Sequence, residues 1–147
     1  MAQTFAQIFL HIIFSTKERR ASLKEAWRNE LFAYMGGIVR SLGGKALRIN
    51  GVADHVHLLL SLPASVAPAD AVRVIKARSS TWVRSRDRSF AWQSGYAAFS
   101  VSQSRSAQVR RYIARQQEHH ARIRFEDELV SLLQRHQMEY DERYLLG

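Results

Sequence analysis

The sequence predicts an α+β fold, because segments typical of strands and of helices alternate along its 147 residues. Runs rich in β-branched and aromatic residues indicate strands, and longer stretches with apolar residues spaced by three and four indicate helices. Hydrophobic residues make up 46% of the chain, which is enough for one core. We therefore expect a single domain over residues 1–147, with a tail at residues 139–147 that is flexible or makes dimer contacts.

The chain begins with a predicted strand and a predicted helix. Residues 7–15, "QIFLHIIFS", indicate a central strand, since β-branched and aromatic side chains dominate. Ser22 and Glu25 have the spacing of a capping box, which predicts that a helix begins there. Its apolar residues recur at spacings of three and four as far as Gly43 and Gly44, which predict its end.

Two further strands, a second helix and a fourth strand follow. Residues 45–52 and 55–62 are predicted strands joined by a tight connection, and Pro63 ends the second of them. A helix is predicted from Pro68, since its apolar residues again share one face. Residues 97–102 follow a stretch rich in turn residues and are predicted to form the fourth strand.

The C-terminal part is predicted to be helical, over residues 105–120 and again over residues 126–138, where the acidic first turn suits the helix dipole. The resulting order, β-α-β-β-α-β followed by two helices, is the split β-α-β or ferredoxin-like pattern. It predicts an antiparallel sheet with two helices on one face. The other face is left for a partner, a ligand or further helices.

The third predicted strand contains two histidines within residues 54–63, "DHVHLLLSLP". Successive side chains of a strand point to opposite faces, so Val56 and Leu58 are expected to face the helices. His55 and His57 then share the opposite face, where their nitrogens are able to bind a metal ion. This spacing alone does not establish a metal site, because most such pairs are structural or simply exposed.

The chain carries a formal net charge of +9, from 22 basic and 13 acidic residues. Only four of the basic residues are lysines, and the guanidinium group of arginine matches phosphate oxygens better than an ammonium group does. This composition favours nucleic acid over a membrane surface as the partner. From charge alone, a basic surface that serves solubility is an equally good explanation.

The sequence contains no cysteine, which excludes disulfides, zinc-thiolate sites and thiol nucleophiles. The apolar run at residues 8–14 is too short to span a membrane, and it contains His11. No cleavable signal pattern precedes this run, so we expect a cytoplasmic protein.

A second group of polar residues lies in "RRYIARQQEHH", residues 110–120. Tyr112 and Gln116 are four residues apart, which places them on one face of a helix. A core tyrosine with its hydroxyl at the rim is the ordinary interpretation, because Val109 and Ile113 share that face. This interpretation accounts less well for the amide of Gln116, which lies one turn beyond the Tyr112 hydroxyl and among several arginines.

These segments together resemble the single-tyrosine transposases of small bacterial insertion sequences, within the His-hydrophobic-His (HUH) nuclease superfamily, and their relatives linked to repetitive extragenic palindromes. The resemblance covers nearly the whole chain. The phrases that carry it are "HIIFSTK" at 11–17, "DHVHLLLSLP" at 54–63, "IKARSSTWV" at 75–83, "WQSGYAAFSVSQS" at 92–104 and "YIARQQEHH" at 112–120.

The resemblance implies roles for four residues. His55 and His57 match two ligands of a divalent metal ion, Mg²⁺ or Mn²⁺, Gln116 matches the third ligand, and Tyr112 matches the nucleophile. The family cuts single-stranded DNA at hairpin-marked ends through a 5′-phosphotyrosine link and rejoins the strands. The resemblance also implies a bacterial homodimer, in which the tyrosine completes the site of its own subunit or of the partner.

Several other residues near these motifs have two interpretations. Asp54 either accepts a hydrogen bond from a ligand imidazole or, more commonly, forms part of a turn. His119 and His120, one turn beyond Gln116, either approach the metal or DNA or, as we expect, form a solvated helix end. His11, in the first strand, either faces the same open side as the histidine pair or, as we expect, has a hydrogen-bonded position in the core.

Five basic residues are candidates for binding DNA phosphates: Arg73, Lys76, Arg84, Arg111 and Arg115. For the first three, on the second predicted helix, a solvated face is nearly as good an explanation. Trp92 and Tyr96 either stack on unpaired bases or pack near the fourth strand.

Two rival functions stay open from the sequence. One is a non-catalytic module on the same fold that binds single-stranded or hairpin nucleic acid. The other is a metal-dependent hydrolase that uses activated water, for which Tyr112 would be dispensable. The chain has no GxxxxGK[ST] phosphate-binding loop, which fits a reaction that needs no nucleotide cofactor.

Overall fold

A four-stranded antiparallel sheet with helices on both faces forms the fold, and the computed structural model describes residues 2–145. The strand order is β2-β3-β1-β4, so the predicted ferredoxin-like α+β fold is confirmed. The strands and helices are β1 (Ile8–Ser15), α1 (Glu25–Ser41), β2 (Lys45–Gly51), β3 (His55–Leu62), α2 (Pro68–Arg84), β4 (Ala97–Val101), α3 (Ser106–Ala114), α4 (Gln116–His120) and α5 (Phe125–Arg135).

One face of the sheet packs on α1 and α2 and forms the main hydrophobic core. Val56 and Leu58 of β3 lie in this core together with Ile12 of β1, as the alternation along the strand predicts. Met35 of α1 and Ile75 of α2 meet them from the helix layer. Each of these buried side chains contributes about 1.5–3 kcal/mol to stability through removal of apolar surface from water.

The opposite face of the sheet carries the histidines and is covered by the C-terminal helices. Ile13 and Phe99 on this face pack against apolar residues of α5, Phe125 and Leu129 among them. The sequence left this face for a partner, a ligand or further helices, and the structure shows that further helices of the same chain cover it.

Two helix boundaries differ from the sequence prediction. The predicted capping box is wrong, because α1 begins at Glu25 after Lys24 and the Ser22 hydroxyl donates to the carbonyl of Arg20 instead. The predicted helix over residues 105–120 is interrupted at Arg115, whose φ and ψ of −100° and 20° separate α3 from α4.

The ends of α1 and α5 have local causes. Gly43 adopts a φ of 83° directly after α1, a conformation that glycine accepts without strain, and the helix stops there as predicted. The last helix ends at Arg135, three residues before the predicted end, and Gln137 has a positive φ of 54°.

The predicted tail at residues 139–147 is described only as far as Leu145. Tyr140 and Leu145 pack against the apolar cluster beneath α5, while residues 1, 146 and 147 lie outside the described residues. The single domain over residues 1–147 and the dimer role of the tail therefore stay predictions. Among residues 2–145, no helix has both the length and the apolar character needed to cross a bilayer.

Candidate metal and nucleophile site

Strand β3 places both of its histidines on the sheet face that the C-terminal helices cover. His55 and His57 lie opposite Ser15 and Ile13 of β1, and neither side chain reaches solvent. The predicted shared face is therefore observed, but it is a buried face and not an open one.

Each of three imidazoles uses its Nδ1 atom for a hydrogen bond that points away from the centre of the cluster. His55 Nδ1 lies 2.7 Å from Asp54 Oδ1, and His120 Nδ1 lies 2.7 Å from the carbonyl oxygen of Ile123. A carbonyl only accepts, so His120 Nδ1 carries the proton. His57 Nδ1 lies 2.8 Å from Nε2 of the buried His11. These bonds orient the rings, so Asp54 has the orienting role considered for it.

The second ring nitrogens of the same three imidazoles meet at a carboxylate. Nε2 of His57 and of His120 each lie 3.0 Å from Glu128 Oε1, and His55 Nε2 lies 3.5 Å from it. All four ligand atoms lie within 4.8 Å of one another. Atoms bound to one cation at about 2.1 Å are separated by about 3.0–3.4 Å, so the cluster has dimensions that suit a divalent ion.

Gln116 joins this cluster from the first residue of α4. It is fully buried, its Oε1 lies 3.4 Å from His55 Nε2, and its Nε2 lies 3.3 Å from Glu128 Oε2. The structure thus brings together the three residues predicted as metal ligands, although they come from segments about sixty residues apart in the chain.

Tyr112 approaches the same cluster from α3, within the same chain. Its hydroxyl donates to Glu128 Oε2, and its ring packs edge-on against His57 and His119. Burial and the adjacent carboxylate of Glu128 raise the pKa of the Tyr112 hydroxyl above its usual value. In this arrangement the phenol is protonated at neutral pH.

Burial and neighbouring groups shift the pKa values within the cluster in different directions. Burial lowers the pKa of His57 to about 4 and that of His11 to about 3. Burial alone would raise the pKa of Glu128, but the close contacts with His120, His55 and His57 hold this pKa well below its usual range. Burial opposes the charged form of His55, yet Asp54 and Glu128 outweigh it and raise the pKa of His55.

A pair of side-chain amides fixes the junction between α3 and α4 on strand β2. Asn50 Nδ2 donates to the carbonyl of Ile113 at 2.9 Å and to Gln117 Oε1 at 3.0 Å. Gln117 Nε2 donates in turn to Asn50 Oδ1 at 2.9 Å and to the carbonyl of Gly51 at 3.0 Å. These bonds hold the segment that carries the tyrosine and the buried glutamine against the sheet.

A basic groove of about 630 Å³ runs beside Tyr112. Arg111, Arg115 and Arg122 line it, so two of the five candidate DNA contacts lie next to the candidate nucleophile. Guanidinium groups in such a groove suit the phosphates of a nucleic acid.

The other three candidate DNA contacts lie on α2, on the opposite face of the sheet. Arg73 is exposed and lies 3.7 Å from Asp70, and Arg84 donates to the carbonyl of Phe90. Lys76 Nζ donates to three backbone carbonyls, those of Gln93, Ser94 and Gly95. The structure does not bring these three residues to the site, and their contact with DNA stays a prediction.

The two candidate stacking residues occupy different environments. Trp92 is buried, packs edge-on against Phe14 and donates to the hydroxyl of Ser79, which is the packing role considered for it. Tyr96 is 41% exposed, and stacking on a base stays a prediction for it.

The sequence analysis did not assign two residues of this cluster. For His120 it preferred a solvated helix end over an approach to the metal, whereas the side chain is nearly buried against His55. It interpreted the acidic start of α5 only as a match for the helix dipole. The available signal was the position of Glu128, which shares the apolar face of α5 with Phe125, Leu129 and Leu132.

Comparisons with known proteins identify the family and similar folds. The family model described as IS200-like transposase matches residues 4–116. The fold is similar to that of a Deinococcus radiodurans R1 protein described as a candidate transposase, with 23% identity, a TM-score of 0.64, and coverage of 79% of this chain and 95% of that chain. It is also similar to a REP-associated tyrosine transposase bound to a REP hairpin, with 13% identity, a TM-score of 0.63, and coverage of 84% and 74%. No curated protein sequence matches significantly. With more than half of its residues matched by the family model, the chain belongs to the IS200-like transposase family.

Proposed function

We propose that this transposase cuts and rejoins single-stranded DNA at hairpin-marked ends through a covalent bond to Tyr112. The observation that carries the proposal is the Tyr112 hydroxyl, which donates to a carboxylate that also faces Nε2 of His55 and His57. The candidate nucleophile and the candidate metal ligands therefore share one buried cluster. A module that only binds DNA has no use for this combination.

The reaction conserves a phosphodiester bond. The Tyr112 oxygen attacks the scissile phosphorus, an O–P bond to tyrosine forms, and the bond from phosphorus to the 3′ oxygen breaks. The phenolic proton passes to solvent as the new bond forms, and the 3′ oxygen leaves and takes up a proton in its place, while the tyrosine stays bound to the 5′ phosphate. A 3′ hydroxyl of another strand reverses the attack, so rejoining needs no nucleotide cofactor.

The proposed cofactor is a divalent ion, Mg²⁺ or Mn²⁺, held by His55, His57 and Gln116. The proposal is supported by Gln116 Oε1, which lies 3.4 Å from His55 Nε2, and by outer hydrogen bonds at Nδ1 that orient the two imidazoles. When bound, such an ion polarises and orients the phosphate oxygens of the substrate. Nitrogen ligands make Mn²⁺ at least as suitable as Mg²⁺.

The proposed substrate is single-stranded DNA that carries a hairpin. A similar structure holds a REP hairpin, and Arg111 and Arg115 line the groove beside Tyr112 in this chain. We also propose a cytoplasmic bacterial homodimer. Because Tyr112 contacts the cluster of its own chain, one subunit contains all of the proposed catalytic groups.

A single-turnover assay tests the proposal. A hairpin oligonucleotide labelled at its 3′ end is incubated with protein and Mn²⁺, and the labelled covalent adduct is measured on a denaturing gel. We expect an adduct with the wild type and none with Tyr112→Phe, with hairpin binding unchanged. Tyr34→Phe is the matched control, because α1 lies on the opposite face of the sheet.

Two outcomes would contradict the proposal. Tight hairpin binding without any adduct in the wild type would indicate a non-catalytic binding module. Strand cleavage that survives in Tyr112→Phe would indicate a hydrolase that uses activated water.

A further inference from the structure

The two oxygens of the Glu128 carboxylate face different partners. Oε1 faces the Nε2 atoms of His57 and His120, each at 3.0 Å. Oε2 accepts from the Tyr112 hydroxyl and lies 3.3 Å from Gln116 Nε2. One side chain from α5 therefore contacts both the imidazole cluster and the candidate nucleophile.

Burial of the ionised Glu128 carboxylate lowers the stability of the fold unless nearby groups compensate its charge. The residue is 3% exposed and lies on the apolar face of α5, where an ionised carboxylate loses its hydration. No guanidinium or ammonium group of the described residues forms an ion pair with it. The groups around it are imidazoles, a phenol and an amide.

The orientation of the imidazoles points to a cation at Oε1. His120 Nδ1 donates to a backbone carbonyl and His55 Nδ1 lies against the Asp54 carboxylate, so in neutral rings the free electron pairs lie on Nε2. These Nε2 atoms and Oε1 then face one another as acceptors. A divalent ion satisfies such a group of acceptors, and outer hydrogen bonds of this kind are typical of metal-bound imidazoles.

We propose that Glu128 is a positioning residue that couples the cation to the nucleophile. Its Oε1 and His120 Nε2 extend the proposed ligand set of His55, His57 and Gln116, and its Oε2 holds the Tyr112 hydroxyl beside that set. This inference rests on the proposed function and deepens it. It adds His120 and Glu128 as ligands, and both residues lie beyond the stretch at residues 4–116 that the family model matches.

The extended ligand set also narrows the choice of metal. With Gln116 included, the extended set has three imidazole nitrogens, one amide oxygen and one carboxylate oxygen, whereas Mg²⁺ prefers oxygen ligands alone and retains its water. We therefore expect Mn²⁺ to bind this protein more tightly than Mg²⁺ does.

Metal binding without DNA is the first test. Isothermal titration calorimetry with MnCl₂ should show binding that is about 10- to 100-fold weaker for Glu128→Gln than for the wild type. Asp127→Asn is the matched control, since it removes the same charge one residue earlier, on the exposed side of α5. Equal affinity of Glu128→Gln and the wild type would overturn the proposal.

Cleavage at saturating Mn²⁺ distinguishes the positioning of Tyr112 by Glu128 from mere binding of the metal by Glu128. If Glu128 also positions the phenol, the single-turnover rate of adduct formation by Glu128→Gln stays at least about 10-fold low after the metal site is filled. Full recovery of the rate at high Mn²⁺ would show that Glu128 supplies only metal affinity, and would overturn the positioning role.

Hydrogen–deuterium exchange of the wild type covers the case in which the variant fails to fold. Mn²⁺ should slow exchange in α5 as well as in β3, because both elements would hold the ion. Protection of β3 without α5 would overturn the proposal. The calorimetric and exchange measurements need no DNA, so they remain decisive for the ligands even if the wild type forms no adduct.

Discussion

At the residue scale, the structure gives Lys76 a role in packing that its sequence did not indicate. The ammonium group donates to the carbonyls of Gln93, Ser94 and Gly95 and lies 5.2 Å from the centre of the Phe14 ring. A single charged donor thus fixes three successive backbone carbonyls between α2 and β4. Such bonds stabilise a loop more than they serve a partner in solution.

Replacing Lys76 with methionine tests this role. Lys76→Met keeps the aliphatic stem but leaves the three carbonyls without their donor, so we expect a loss of about 1–3 kcal/mol in the free energy of unfolding. Urea denaturation measures it. Arg73→Met is the control, because Arg73 is exposed and its loss should change stability by less than about 0.5 kcal/mol. Equal midpoints for Lys76→Met and the wild type would contradict this role.

The residues of the site that the sequence predicted were those with a local signal. His55 and His57 alternate within one strand, and Tyr112 and Gln116 are one turn apart, so spacing and resemblance were sufficient to group these four side chains, while their catalytic roles stay predictions. Glu128 has no such local partner. Its contacts come from β3 and α3, and only the folded chain brings these segments together.

At the element scale, a contact with strand β2 interrupts the helix that the sequence pattern predicts, at the junction between α3 and α4. A continuous helix would use the carbonyls of residues 113 and 114 for amides four residues later. Asn50 Nδ2 on β2 instead lies 2.9 and 3.3 Å from these two carbonyl oxygens. The periodicity of residues 105–120 could not show this competition, because Asn50 is more than sixty residues away in the chain.

Asn50→Ala should weaken both the junction and the reaction. It removes a buried donor and leaves Gln117 without its amide partner, so we expect about 1–3 kcal/mol of lost stability and slower adduct formation. Denaturation and the single-turnover assay measure the two effects. Asn29→Ala makes the same change at an exposed position on α1, on the opposite face of the sheet, and as the control it should change neither.

A double-mutant cycle isolates the amide pair. If the pair acts as a unit, the stability loss of Asn50→Ala combined with Gln117→Ala is smaller than the sum of the single losses, by at least about 0.5 kcal/mol. Additive losses would mean that each amide acts through other contacts. The junction would then be held by the packing of Ile113, which is fully buried.

At the scale of the whole molecule, the two faces of the sheet have separate tasks. The face under α1 and α2 is apolar and was predictable from alternation and helix periodicity. The other face combines a smaller apolar cluster with buried histidines, and helices of the same chain cover it. Which helices cover it depends on long-range packing that no short pattern in the sequence specifies.

The salt dependence of DNA binding tests whether the arginines of the groove beside Tyr112 contact DNA phosphates. Each phosphate contact that a cation makes with single-stranded DNA contributes about 0.7 to the slope of log affinity against log salt. If the groove beside Tyr112 holds the strand, Arg111→Gln and Arg115→Gln should each lower the slope by about that amount. Fluorescence anisotropy of a hairpin in the Tyr112→Phe background measures binding without cleavage.

Arg78→Gln provides the comparison, because α2 lies on the opposite face of the sheet and the change in net charge is the same. With a formal charge of +9, the whole protein attracts DNA at a distance, and all three variants weaken this attraction equally. Direct contact adds counterion release only in the groove. A slope that falls as much for Arg78→Gln as for the groove variants would therefore show that net charge alone governs binding, and that the strand does not pass beside Tyr112.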